Sequence, residues 1–352
     1  FATTGLSTLL LGAWAALFQH DLKGLLAYST ISHLGLITLL LGLGSPLAAV
    51  AAIFHTVNHA TFKASLFMAA GIIDHETGTR DLRRLSGLFR CMPVTATLAM
   101  VAAAAMAGVP LLNGFLSKEM FLAEALGAHS GTVLDKALPV LATLASMFSV
   151  LYSVRFIHQT FFGPLPSDLP HQPGEAPHWM RLPIEVLVLL CLVVGVAPAA
   201  TIGPLLGDAA RAVLGARTPA YDLAVWHGFT LPLLMSGIAL AGGLLLYRIF
   251  GRRLNSVEAS PVIGHLKGHR LFERTLTGLI QGARSAYGAI SSGRLQVQLR
   301  LLIVTALCAG ALPVFLLGYS AGTAPRTLLD PIFALLWLIG GIIALCGALT
   351  LA

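Results

Sequence analysis

The chain has 352 residues, of which 56% are hydrophobic and only 11% charged, and its mean hydropathy is +0.83. A soluble domain carries about 25% charged residues, so a soluble globular protein is excluded. The net charge of +7 has no polar domain on which to form a nucleic-acid-binding patch and fits the lysine and arginine excess of cytoplasmic membrane loops.

Only helices and closed barrels satisfy the backbone in lipid. The apolar runs are long and do not alternate at period 2, which argues against a barrel. The expected fold class is therefore all-α: a polytopic membrane protein of about nine transmembrane helices. The spans run roughly over Phe1–Phe18, Leu22–Leu43, Leu47–Ile73, Pro93–Leu126, Ala137–Phe162, Leu182–Leu206, Gly228–Phe250, Gln298–Tyr319 and Leu328–Ala352. The chain opens at Phe1 in an apolar run, without the charged n-region and cleavage site of a signal peptide, and Ala352 lies in another apolar run, so a piece of a longer protein is expected. Cys91, Cys191, Cys308 and Cys346 form no CxxC or Cys/His cluster, and neither a zinc site nor a disulfide framework is expected.

The second span starts at Lys23, two residues after Asp21, as an interfacial anchor or the mouth of a path. Ser29, Ser32 and His33 face one way from it and could extend a hydrogen-bonded route.

The third span carries the strongest signal. His55, His59 and Lys63 are each four residues apart, so they share one helix face, with Asn58 beside them. Charge in the middle of a span costs about 2.5 kcal/mol or more on insertion scales. An amine there can load and release a proton, whereas a guanidinium keeps its own. Lys63 lies about ten residues from the loop at Asp74, roughly 15 Å along a helix, too far to snorkel. Imidazoles at this spacing can bind zinc. However, Lys63 repels a cation and the stripe has no carboxylate or thiolate, so no metal and no cofactor are expected. The stripe reads as a proton relay.

The loop Asp74–Arg90 holds Arg80, Arg83, Arg84 and Arg90. The segment Gly251–Arg300 holds Arg252, Arg253, Lys267, Arg270, Arg274, Arg284, Arg294 and Arg300. Four spans separate these stretches, so both fall on one side, the cytoplasmic one, together with the His20–Lys23 turn.

The fourth span should be discontinuous. Gly108, Pro110, Asn113 and Gly114 disfavour helix, and Pro93–Leu126 is too long for one straight crossing. Broken helices at membrane depth mark ion sites in transporters. Lys118 follows the break as a terminal proton carrier, with Glu119 as its partner or as an exit residue. In the fifth span Tyr152, Arg155 and His158 are compatible with an exit path, Arg155 alternatively pairing with a lipid headgroup. Gly163–Trp179 reads as an ordinary Pro-rich loop. Leu271–Ile290 reads as an amphipathic helix at the cytoplasmic surface or against a neighbouring subunit.

Three stretches together resemble one family. They are His20-Asp-Leu-Lys-Gly-Leu-Leu-Ala-Tyr-Ser-Thr-Ile-Ser-His-Leu-Gly35, Phe54-His-Thr-Val-Asn-His-Ala-Thr-Phe-Lys-Ala-Ser-Leu-Phe-Met-Ala-Ala-Gly71 and Gly108-Val-Pro-Leu-Leu-Asn-Gly-Phe-Leu-Ser-Lys-Glu119. They look like the antiporter-like subunits, which include the large membrane subunits of respiratory complex I and the A-type subunit of Mrp multisubunit sodium/proton antiporters. The resemblance implies inverted five-helix repeats, each with a broken helix and a central lysine. Residues 1–163 resemble the second repeat. Residues 164–250 would be additional membrane helices, 251–297 a basic lateral segment and 298–352 C-terminal spans. Carried over, Lys23, His55, His59 and Lys63 resemble the family's hydrophilic axis, and Lys118 its lysine at the second broken helix. The first repeat, with its glutamate–lysine pair, would lie upstream of Phe1, so this piece would hold half of a proton path.

Phe161-Phe-Gly-Pro164 and the C-terminal extension point, within the family, to the Mrp A-type branch rather than complex I. The resemblance implies a proton-translocating antiporter subunit in the inner cell membrane, not a redox enzyme. Its partners would be other membrane subunits, protons and sodium or another monovalent cation.

Overall fold

The computed structural model describes residues 1–127, 133–257, 268–290, 295–318 and 330–350. Its elements are α1 (Ala2–Leu17), α2 (Leu22–Leu43), α3 (Pro46–Thr77), α4 (Pro93–Ala107), α5 (Asn113–Leu126), α6 (Val133–Phe161), α7 (His178–Val196), α8 (Pro198–Thr201), α9 (Gly203–Leu214), α10 (Leu231–Ser256), α11 (Gly268–Ile290), α12 (Leu295–Leu317) and α13 (Pro331–Thr350). No strand longer than a single bridge forms among the described residues. Leu22–Leu43, Lys136–Phe161, His178–Val196, Leu231–Gly251 and Leu295–Leu317 are long and apolar enough to cross a membrane; Ala2–Leu17, Pro93–Ala107 and Pro331–Gly347 are shorter apolar helices.

The helix ends follow local chemistry. Asp21 accepts from the Gly24 amide at 2.7 Å and so caps α2. Ser45 caps α3 through the Ala48 amide at 2.9 Å, with Pro46 in the first turn, where its missing N–H costs nothing. Gly78 ends α3 in the left-handed conformation. At 32 residues, α3 is about 48 Å long, enough to carry its stripe through a bilayer and beyond.

The first two helices touch backbone to backbone. A Cβ on Gly5 would lie 2.3 Å from the Leu39 amide nitrogen, and one on Gly35 would lie 2.3 Å from that of Leu9. Gly12 faces Ser32 in the same way, at 2.6 Å. Small residues bring membrane helices this close, and Ser32 Oγ then donates to the Leu9 carbonyl at 2.9 Å.

Three connections meet at one end of the helices. The Leu22 amide donates to the Arg80 carbonyl at 2.8 Å and the Leu82 amide to the His20 carbonyl at 2.7 Å. Arg80 pairs with Asp21 across this clasp. His20 Nε2 donates to the Val257 carbonyl at 3.0 Å. The His20–Lys23 turn and the Asp74–Arg90 loop therefore share a side.

The predicted break falls at residues 108–112. α4 ends at Gly108 in the left-handed conformation, Leu111 has φ 66°, and Asn113 and Gly114 open α5 rather than lying in the gap. Gly114 is required by close approach, because a Cβ there would sit 1.9 Å from the Ala105 carbonyl oxygen of α4.

One segment departs from expectation. The sixth span stops at Val196 rather than Leu206. Pro198 supplies no N–H, Ala197 before it leaves the helical region, and the short α8 and α9 follow. Gly163–Trp179 is a loop as far as Pro177, after which α7 begins, and it also caps a helix. Within it Glu175 accepts from the Val94 amide at 2.8 Å, the Thr95 amide at 3.2 Å and Thr95 Oγ1 at 2.5 Å, placing a carboxylate on the amino end of α4.

The chain divides into two units, residues 1–267 and 268–352. In the second, α11 sets Arg270, Glu273, Arg274, Thr277 and Gln281 along one groove, and Leu271, Phe272, Leu276, Leu279 and Ile280 are exposed. That is an amphipathic pattern. Lys267, Arg294 and Tyr319 lie outside the described residues.

Candidate functional site

α3 turns its stripe into the interior of the first unit. His55 is fully buried and His59 and Lys63 are 8% and 4% exposed. α2 supplies the facing wall, with Ser29, Ser32 and His33 buried.

Lys63 Nζ donates to the Leu26 carbonyl at 3.2 Å and to Ser29 Oγ. His33 Nδ1 and His55 Nε2 lie 3.0 Å apart, with the rings stacked at 5.2 Å. The His59 ring sits 5.2 Å from that of His33 and 6.2 Å from that of His55. His59 Nε2 and Asn58 Nδ2 are buried with no protein partner. The stripe is therefore three side chains on α3 completed by a histidine from α2.

The chain of polar contacts continues to α5. His33 Nε2 lies 3.3 Å from Tyr152 Oη, Tyr152 Oη lies 3.1 Å from Ser149 Oγ, and Ser149 Oγ accepts from Lys118 Nζ at 2.8 Å. On its other side His55 Nδ1 is 3.0 Å from Ser117 Oγ. A cavity of about 10 Å³ touches Ser32, His33, Lys118, Ser146, Ser149 and Tyr152, the space of one water molecule with polar partners on its wall. His55, His33, Tyr152, Ser149 and Lys118 thus form one connected hydrogen-bonded series across α3, α2, α6 and α5.

Lys118 bridges the helix break. Besides Ser149 it donates to the Met106 carbonyl at 2.8 Å and the Ala107 carbonyl at 3.1 Å. These carbonyls are free because Gly108 and Val109 bond further back, to Ala104 and Ala105. The carboxyl end of α4 carries partial negative charge, which suits an ammonium group.

Glu119 is not the partner of Lys118. Successive helix residues point about 100° apart, and Glu119 turns away. It lines a separate cavity of about 430 Å³ with Glu124, Asp222, His227 and Thr230.

Lys23 is partly exposed and ion-paired with Asp74 at 2.8 Å, at the end of α2 away from His33. Arg155 is fully buried, which removes the headgroup reading. It donates to the Leu17 carbonyl, to His20 Nδ1 at 3.2 Å and to Gln159 Oε1 at 3.2 Å. Because His20 Nε2 donates to Val257, its Nδ1 is the acceptor. His158 is instead 3.0 Å from the Tyr247 hydroxyl. Ser149 has no motif in the sequence. Its only signal is its place one helical turn from Tyr152.

Residues 1–144 match the family model described as NADH:quinone oxidoreductase/Mrp antiporter, TM. The chain is 62% identical over 338 residues to a Rhizobium meliloti protein named as the A/B-type subunit of a probable K(+)/H(+) antiporter, covering 96% of this chain and 34% of that protein. It is 37% identical to the A-type subunit of the Na(+)/H(+) antiporter of Alkalihalophilus pseudofirmus, covering 90% of this chain and 41% of the relative. Among solved structures, the Mrp complex from Dietzia sp. DQ12-45-1b matches with TM-score 0.67 and 35% identity, over 97% of this chain and 36% of that one. The class is thus that of multi-pass membrane proteins. Within it, residues 1–144 fit the family model shared by NADH:quinone oxidoreductase and Mrp antiporters, and the chain is similar to a part of the A-type antiporter subunits. It spans about a third of the length of its curated relative from Rhizobium meliloti, at 34%.

Proposed function

We propose that this chain is a proton-translocating part of a multisubunit monovalent cation/proton antiporter, with sodium or potassium as the exchanged ion. The observation that carries the reading is the connected series from His55 through His33, Tyr152 and Ser149 to Lys118. A buried line of exchangeable groups in an apolar chain has one economical use, the passage of protons. The names of the relatives supply the counter-ion class.

In this reading Lys23 lies at the cytoplasmic mouth, Lys63, His59, His55 and His33 form the middle, and Lys118 is the far carrier. Glu119 then acts as an exit residue in its own cavity. The chain crosses the inner cell membrane nine times, residues 1–163 form one antiporter-like repeat, and other membrane subunits complete the path. The alternative, a proton-pumping membrane subunit of an NADH–quinone oxidoreductase, shares the family model. The Mrp reading is favoured because the similarity to the A-type subunits runs over nearly the whole chain, C-terminal helices included.

The test is exchange in vesicles carrying the full-length subunit in its assembled complex. Lys63→Ala and Lys118→Ala are expected to abolish cation-driven proton movement while the complex still assembles. Normal exchange in either variant overturns the relay, and a response to NADH favours the oxidoreductase.

A further inference from the structure

Lys118 fills a cage that is built for a small monovalent cation. Its ammonium group has three protons, and each meets an oxygen: the Met106 carbonyl at 2.8 Å, the Ala107 carbonyl at 3.1 Å and Ser149 Oγ at 2.8 Å. None of these oxygens bears a formal charge. The two carbonyls are exposed by the left-handed turn at Gly108, and both belong to the negative end of α4. Unwound carbonyls and half-helix carboxyl ends are what membrane transporters use to coordinate alkali cations.

Two glycines shape the approach to the cage, Gly108 with φ 87° at the end of α4 and Gly114 where α5 meets α4. A Cβ on Gly108 would lie 2.9 Å from Lys118 Cδ, and one on Gly114 would strike the Ala105 carbonyl oxygen. Ser149 is held in place independently of Lys118. Its hydroxyl contacts the Met106 carbonyl at 3.2 Å and Tyr152 Oη at 3.1 Å. The oxygens therefore stay converged when the lysine arm is absent.

We propose that the Met106 carbonyl, the Ala107 carbonyl and Ser149 Oγ form the binding site for the exchanged alkali cation, and that the Lys118 ammonium and the ion are mutually exclusive occupants of it. An ammonium group and a potassium ion have nearly the same radius, so the separations suit potassium as they stand. The competition is steric, since Nζ occupies the position the ion would take. The inference rests on the antiporter reading and assigns its cation to a place. Lys118 is then the gate of the cation site as well as a member of the polar series.

The experiment is equilibrium binding of radiolabelled rubidium, a potassium analogue, to the purified assembled complex, with assembly checked by gel filtration. The Lys118→Ala complex is expected to retain rubidium in stoichiometric amount, while the parent retains background only. Adding Ser149→Ala is expected to weaken retention about tenfold, the equivalent of about 1.4 kcal/mol. If Lys118→Ala binds no more rubidium than the parent, the cage is not a cation site. If it binds rubidium but Ser149→Ala has no effect, these oxygens are not its ligands. Lys118→Met provides a second emptied cage should the alanine variant assemble poorly. Because binding is measured without transport, failure here leaves the relay standing, whereas failure of the relay appears only in vesicle exchange.

Discussion

Tyr152 Oη stands 3.3 Å from His33 Nε2 and 3.1 Å from Ser149 Oγ, so one phenol joins the histidines of α2 and α3 to the lysine of α5. The series can be ordered in two directions. When Tyr152 donates to Ser149, His33 donates to it from Nε2 and accepts from His55 at Nδ1. When Tyr152 donates to His33, the imidazoles reverse and His55 donates to Ser117. Each ring has one donor and one acceptor in its neutral form, so both orders satisfy every member. A path with two self-consistent polarities can pass a proton and reset.

Tyr152→Phe removes the joint and keeps the ring. The expected outcome is a complex that assembles normally and exchanges about tenfold or more slowly, the effect of about 1.4 kcal/mol on the limiting step. Initial rates in vesicles, normalised to assembled complex, check it. An unchanged rate means protons bypass the phenol.

Gly114→Ala should act on stability. Its Cβ would press on the Ala105 carbonyl at 1.9 Å, and overpacking of this kind costs about 1–3 kcal/mol. The thermal midpoint of the purified complex should fall. Exchange should fall with it, because the two half-helices that hold Lys118 are driven apart.

Glu175→Ala removes the carboxylate from the start of α4, leaving the Val94 and Thr95 amides without their partner. A loss of about 1–2 kcal/mol is expected, read as a lower thermal midpoint. Exchange per assembled complex should be retained, since Glu175 lies far along α4 from Lys118. A loss of rate at full stability would give Glu175 a direct part in transport.

Asp81 provides a pH test outside the membrane. The hydrogen bond from the Arg83 guanidinium holds its carboxyl below the usual carboxylate range, with burial opposing. A depressed carboxylate contributes stability above its unfolded value, about 3.9, and loses it as pH falls through the folded value. The site is mostly solvent-facing, so the contribution is less than about 1 kcal/mol. The protection factors of the Leu22 and Leu82 amides in the clasp next to it, taken against the intrinsic exchange rate at each pH, should fall on acidification. In Asp81→Asn they should be lower at neutral pH and insensitive to acid over that range.

Much of the site was legible in one dimension. The spacing of His55, His59 and Lys63 gives their common face because a helix repeats every 3.6 residues. Gly108 and Pro110 announce the break because each opposes helix by itself. The shared side of the His20–Lys23 turn and the Asp74–Arg90 loop follows from the two spans counted between them, and the clasp shows them in contact. What the sequence hides is long-range. Tyr152 meets His33 across 119 positions, and no local pattern distinguishes it from an interfacial tyrosine. Arg155 looks like a headgroup anchor until the Leu17 carbonyl and His20 are found around it. Lys118 and Glu119 read as a pair only because they are adjacent, and a helix sends neighbours to different faces.

The seam between α1 and α2 has a mechanical meaning. Where Gly5 meets Leu39 and Gly35 meets Leu9, there are no rotamers to exchange and no space to slide. His33 is thereby carried on a stiff post. The parts of the path able to swing are the long arms set against that post, Lys118 above all. Transport in this fold would work less like a rocking bundle than like a latch moving in a fixed frame.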